Sequence, residues 1–241
     1  MTDNHIHIGQ FEKVYYNASE VFDAVFASGI VDHLLFSSTT SCVPDVAYHT
    51  IEAEIETALK LYGPEKTAPL FWFTPGYIEQ GVDIEKAMSD LPYKGFKLHP
   101  FAQQWDIENE KHCSVLHGIF AYAGGNNLPV LIHTGESGID SPNRFESFFA
   151  AYPNVRFILA HCRPADTTIA MFRAYLNVYG DSAFAPRERI QSVADAGFAE
   201  RILPGTDFPI THYLQSRRLN SNAGNRMLSL REQYAEDLAL G

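Results

Sequence analysis

The residues best equipped for chemistry stand close to the start of the chain. Residues 3–9 read DNHIHIG, so His5 and His7 flank a single isoleucine. In a strand, residues i and i+2 share a side. Both imidazoles therefore project one way and Ile6 the other. Two neutral imidazoles side by side suit one divalent cation, and a third imidazole with a carboxylate would complete a catalytic zinc-type shell with room for water. On its own such a pair is better explained by packing. Its weight comes from its company, because Lys97-Leu98-His99, His133, His161 and Asp207 each end a short apolar run further along. The remaining histidines, His33, His49, His112, His117 and His212, fall on surface or helix positions with no such partner.

These groups need a scaffold that gathers distant strand ends. Strands are predicted at residues 4–8, 30–36, 68–73, 93–99, 128–133, 155–161, 178–184 and 201–207. The seventh is the weakest, because Gly180 and Asp181 interrupt it. Helical spacing fills the gaps. Residues 19–28 read as a helix ended by Gly29. Residues 45–63 read as a longer one, with Asp45 as its cap and Gly63-Pro64 as its stop. Further helical faces are carried by Ile84 to Leu91, Cys113 to Ala123, Phe145 to Tyr152, Ile169 to Leu176, a segment opened by Pro186, and Met227 to Tyr234. Residues 208–225 form the longest irregular segment.

Strands alternating with helices imply parallel βαβ units. Eight of them in one chain of 241 residues predict an α/β fold, a (β/α)8 TIM barrel forming a single domain over residues 1–241. An open doubly wound sheet would want a glycine-rich turn after the first strand, which is absent. A barrel brings the C-terminal ends of its strands to one face, where the active site lies. Five of the eight predicted strand ends carry a metal-competent or ionisable group there.

Composition narrows the partners. With 18 basic and 29 acidic residues the net charge is -11, unsuited to a phosphate backbone, so no nucleic acid is expected. No apolar run approaches a membrane span. No basic-then-apolar leader is evident, and a cytoplasmic location is expected. Cys42, Cys113 and Cys162 are too widely spaced for a disulfide framework or a paired-cysteine zinc site. A small-molecule substrate fits this profile. A second subunit could cover the mouth left by short loops, which makes a homodimer the expected assembly.

The segments DNHIHIG (3–9), GFKLHP (95–100), LPVLIHTG (128–135), RFILAHC (156–162) and ILPGTDFP (202–209) together resemble the amidohydrolase superfamily of metal-dependent TIM barrels. The last resembles the Gly-Ser-Asp-x-Pro segment of its amidohydrolase 2 branch, with Thr206 in place of serine. The resemblance implies that His5, His7, His133 and Asp207 bind the metal, and that Asp207 also takes a proton from the water. His161 would hold a second metal or act as a catalytic group. Lys97 would be either a carboxylated bridge between two ions or an ammonium that holds a substrate carboxylate. His99 and Arg163 are candidate substrate contacts. The implied cofactor is a divalent metal, zinc first, as one ion, or two if Lys97 is carboxylated. The implied activity is hydrolysis of a small amide, ester or lactone by metal-activated water. The alternative is a decarboxylase or hydratase acting on a small carboxylic acid.

Overall fold

The computed structural model describes residues 1–220 and 228–239. Its strands are β1 (Thr2–Phe11), β2 (Val14–Tyr16), β3 (His33–Ser38), β4 (Thr67–Pro69), β5 (Phe71–Trp72), β6 (Phe96–Leu98), β7 (Pro129–Ile132), β8 (Arg156–Leu159), β9 (Val178–Asp181) and β10 (Ile202–Leu203). β1, β3 and β4 pair in parallel, as do β5 through β10 in sequence order. Only Leu70 separates β4 from β5, and its N–H donates to the Phe36 carbonyl at 2.7 Å, so the two form one barrel strand. At the other end, three backbone bonds join β1 to the segment after β10. Asn4 N–H reaches the Pro204 carbonyl at 2.9 Å, Asp207 N–H reaches that of His5 at 2.8 Å, and His7 N–H reaches that of Phe208 at 2.8 Å. The ring of eight parallel strands is a TIM barrel, as the alternating pattern predicts. β2 lies outside it, paired antiparallel to β1 as a hairpin.

Two apolar packings hold the barrel. Inside it, Leu35, Leu70, Leu131, Ile158, Tyr179 and Leu203 meet as one cluster from six strands. Outside it, alternate strand residues such as Ile6, Phe36, Phe96 and Phe157 pack under the helices. The helix Ala18–Phe26 shows how: Phe22 is buried and its ring lies 5.0 Å from that of Phe36, edge to face. Burying one such ring stabilises by about 1.5–3 kcal/mol.

Several expectations shift. The long second helix is Tyr48–Tyr62, not 45–63, with Ala47 at its start, so Asp45 does not cap it. Asp45 sits instead at φ 58° in the preceding turn. The helical face of Cys113 to Ala123 belongs to Glu110–Gly125, with Asn126 at its end. Residues 208–225 are not irregular where described, because Ile210–Asn220 is a helix. Its polar sequence gives almost no apolar stripe, which hides it from a periodicity search. Residues 221–225 of that segment, and Met227, lie outside the described residues. The hairpin strand β2 was not expected. No helix among the described residues is long and apolar enough to cross a membrane.

Candidate active site

The site begins with an irregularity in β1. Asp3 pairs with Leu34, but the next partners are Ile6 and Phe36, so β1 carries one residue more than β3 across that stretch. This bulge changes which face each side chain takes. Asp3 and Ile6 both face the helix layer, while His5 and His7 turn into the barrel. All four are buried.

His7 Nε2 lies 2.9 Å from Asp207 Oδ1, and His5 Nε2 lies 3.5 Å from the same oxygen. Donor atoms of the three residues fall within 4.8 Å of one another. Each imidazole is also oriented from behind. His5 Nδ1 is 2.8 Å from Asp181 Oδ2, and His7 Nδ1 faces the Ser37 carbonyl at 3.3 Å and hydroxyl at 3.1 Å. Engaging Nδ1 leaves Nε2 to face the shared centre, the arrangement that aims a metal-ligating histidine. Two imidazole nitrogens and a carboxylate oxygen, buried and convergent, fit a divalent ion.

Asp207 arrives by its backbone as well as its side chain. Its φ is 56°, and that of His161 is 70°, both in the left-handed region that non-glycine residues rarely occupy. Held-in strain of this kind clusters at functional positions. Asp3 supplies part of the restraint. Its carboxylate accepts from His5 N–H (3.0 Å), Thr206 N–H (3.3 Å), Thr206 O–H (2.7 Å) and Tyr234 O–H (2.7 Å). One buried group thus ties the strand of His5, the loop of Asp207 and the C-terminal helix Leu230–Leu238 together.

The other predicted residues form an adjoining layer. His161 Nδ1 donates to the Ala183 carbonyl at 2.7 Å, which turns Nε2 towards His133 Nδ1 at 3.0 Å. His161, His5 and Asp181 make a second close group of donor atoms. His133 belongs to neither close group. It stacks on His99, ring centroids 3.7 Å apart, and its Nε2 lies 3.3 Å from Arg163 Nη2. Lys97 is fully buried, with Nζ 2.9 Å from His5 Nε2 and 5.5 Å from the centre of the Trp72 ring. Gly135 lets the loop after β7 approach the loop of Arg163: its φ is +81°, and a Cβ there would fall 2.5 Å from the Arg163 carbonyl.

Burial governs the protonation of these groups. It pushes His5, His99, His133 and His161 below the usual imidazole range, aided at His5 by the charge of Lys97. It pulls Lys97 down to about 8 and pushes Asp181 up to about 6. Burial would also raise Asp207, but the hydrogen bond from His7 and the nearby imidazoles outweigh it and hold this carboxyl below the usual range.

Sequence reasoning did not single out Asp181, Asp3, Trp72 or Glu136. Asp181 ends β9, and its polarity, read only as weakening that strand, was the signal of its role. Trp72 ends β5 beside Lys97, with its ring centroid 5.4 Å from that of His7 and its indole N–H buried without a hydrogen-bond partner among the described residues. Glu136 pairs with Arg163 at 3.0 Å. An aromatic at a strand end and an acid in a loop carry no distinguishing pattern in one sequence.

The family model described as Amidohydrolase matches residues 55–226, a stretch that includes Lys97, His133, His161 and Asp207. No curated protein matches the sequence. Among solved structures, an uncharacterised TIM-barrel protein from Bordetella bronchiseptica is 15% identical with a TM-score of 0.58, covering 100% of this chain and 98% of that one. The 5-carboxyvanillate decarboxylase of Sphingomonas paucimobilis is 10% identical with a TM-score of 0.58, covering 99% of this chain and 98% of that one. A dihydroxybenzoic acid decarboxylase from a Polaromonas species, with bound manganese and the inhibitor 2-nitroresorcinol, is 12% identical with a TM-score of 0.58, covering 99% of this chain and 96% of that one. At these identities the likeness concerns the fold.

Proposed function

Because this chain belongs to the amidohydrolase family, a family of enzymes, we propose that it is a metal-dependent hydrolase of a small amide, ester or lactone, a single catalytic domain over residues 1–241. The observation that carries this reading is the convergence of His5, His7 and Asp207 at the barrel mouth. A divalent ion, zinc by preference for this donor set, would be held there and supplies Lewis acidity that brings water near a pKa of about 7. The chain's residues do the rest. Asp207 stays ionised through its contact with His7 and is the carboxylate placed to take a proton from water. His161, with Nδ1 fixed by the Ala183 carbonyl, can pass or hold a proton at Nε2 together with His133. One ion is favoured, because Asp181, which a second ion would need, is committed to His5 Nδ1.

A second reading is a decarboxylase or hydratase acting on a small carboxylic acid. Two observations favour it: the buried Lys97 amine next to His5, and Arg163 beside His133. Two of the three similar structures named above are decarboxylases.

The test is metal analysis with turnover assays on both substrate classes. Asp207→Asn should bind metal more weakly and lose at least roughly hundredfold in kcat, the usual contribution of a placed proton acceptor. Full turnover by that variant rejects the mechanism. Release of CO2 from a carboxylated substrate, with no ester or amide cleaved, selects the second reading.

A further inference from the structure

The loops that follow β7 and β8 meet at His133, and one arginine is spent in joining them. Arg163 Nε donates to the Thr134 carbonyl at 3.0 Å. Its Nη2 donates to Glu136 Oε1 at 3.0 Å and lies 3.3 Å from His133 Nε2. Glu136 Oε1 is in turn 3.5 Å from that same imidazole nitrogen. A guanidinium grips a carboxylate best through two parallel N–H groups. Here the edge formed by Nε and Nη2 is taken by the chain itself. The second reading above needs Arg163 open to a substrate acid, and this geometry leaves that fork closed.

The place of Glu136 is built into its loop. Its backbone N–H donates to the Asp140 carboxylate at 2.9 Å, and that of Ser137 does so at 2.7 Å. Asp140 is fully buried. The Thr134 hydroxyl fastens the same loop to the turn after β8, donating to the Ala160 carbonyl at 2.6 Å. With its backbone held from below, the Glu136 side chain is still 38% exposed. Its contacts to Arg163 and His133 both use Oε1, and Oε2 accepts no hydrogen bond among the described residues.

The carboxylate is linked to the centre through two imidazoles. His133 Nδ1 lies 3.0 Å from His161 Nε2, and the His161 ring stacks on that of His5 with centroids 5.4 Å apart. We propose that Glu136 sets the specificity of this site. It keeps Arg163 from a substrate carboxylate, and its Oε2 accepts a hydrogen bond from an N–H of an uncharged substrate. A fixed negative charge repels an acid, and an acceptor left unpaired disfavours a substrate that has no donor. The inference rests on the reading of the centre as hydrolytic. It narrows that reading from amides, esters and lactones to amides that carry an N–H.

The test is calorimetric titration of the full chain, chelated and zinc-loaded, with benzamide, methyl benzoate and benzoate. Benzamide should bind at least roughly tenfold more tightly than either of the others, the worth of one hydrogen bond to a charged group. Glu136→Gln keeps an acceptor and removes the charge. Benzoate affinity should then rise roughly tenfold as Arg163 is released, and adding Arg163→Gln should abolish the rise. Glu136→Leu should lose the preference for benzamide, and it decides the matter should Glu136→Gln fail to fold. The proposal is overturned by benzoate binding the unaltered chain as tightly as benzamide, by benzamide not binding, or by preferences unchanged in the Glu136 variants. Failure of the hydrolytic reading looks different: benzamide is bound with the expected preference, but neither zinc uptake nor amide cleavage is seen.

Discussion

At the scale of single residues, the candidate site depends on groups that stand behind the convergent side chains. Asp181 holds His5 through Nδ1 and takes hydrogen bonds from the backbone N–H groups of His161 (2.6 Å) and Ala183 (3.2 Å). Losing such an orienting carboxylate typically costs 10–100-fold in metal affinity. Asp181→Asn should therefore weaken zinc binding by roughly that factor while the fold persists, as a competition titration with a chromophoric chelator would read. Lys97 makes a pH-dependent prediction. Its proton affinity falls from 10.5 to about 8 on folding, because burial disfavours the ammonium. Between those values the unfolded chain binds the extra proton, so stability rises with pH across that window. Below about 8 both states are charged and the full cost stands. The metal-free protein should gain up to roughly 3 kcal/mol between pH 8 and 10.5, and Lys97→Met should flatten the rise. Urea unfolding at stepped pH measures both.

At the scale of elements, the C-terminal helix Leu230–Leu238 has a stake in the site through Tyr234, whose hydroxyl reaches the buried Asp3. Tyr234→Phe keeps the packing and removes one donor from a buried carboxylate. It should cost about 1.5–3 kcal/mol of stability in denaturant unfolding, and metal affinity should fall with it. This link also marks the limit of what the sequence reveals. Alternating short strands and amphipathic helices were enough to give eight units and the barrel. Of the strand-end residues, His5, His7 and Asp207 share one close group of donor atoms, His161 joins His5 and Asp181 in another, and His133 stands outside both. The bulge in β1 was not legible, because a register shift depends on the partner strand. Strict alternation would put Asp3 on the face of His5, and the bulge sends it to the opposite one. Asp181 read as a defect in a strand, since a buried acid is recognisable only once its imidazole partner is known. The helix Ile210–Asn220 lacked an apolar stripe and went unseen.

At the scale of the whole molecule, the three residues of the centre come from the two ends of the barrel sequence. A metal bound only by the folded chain stabilises it by mass action. Zinc at a thousandfold over its dissociation constant would add about 4 kcal/mol, a rise of roughly 8–16 °C in melting temperature for a domain of this size. Scanning calorimetry of chelated and loaded protein should show that gap, and Asp207→Asn should shrink it. Light scattering on the same samples checks the homodimer proposed to cover the mouth.

The seam where β1 meets the segment after β10 has a further consequence during synthesis. His5 and His7 leave the ribosome early, while Asp207 and its partner loop follow only after the other strands have emerged. The nascent chain therefore carries two of the three residues of the centre, with no carboxylate to complete it. Any ion captured before the ring joins would meet the histidine pair without the Asp207 carboxylate.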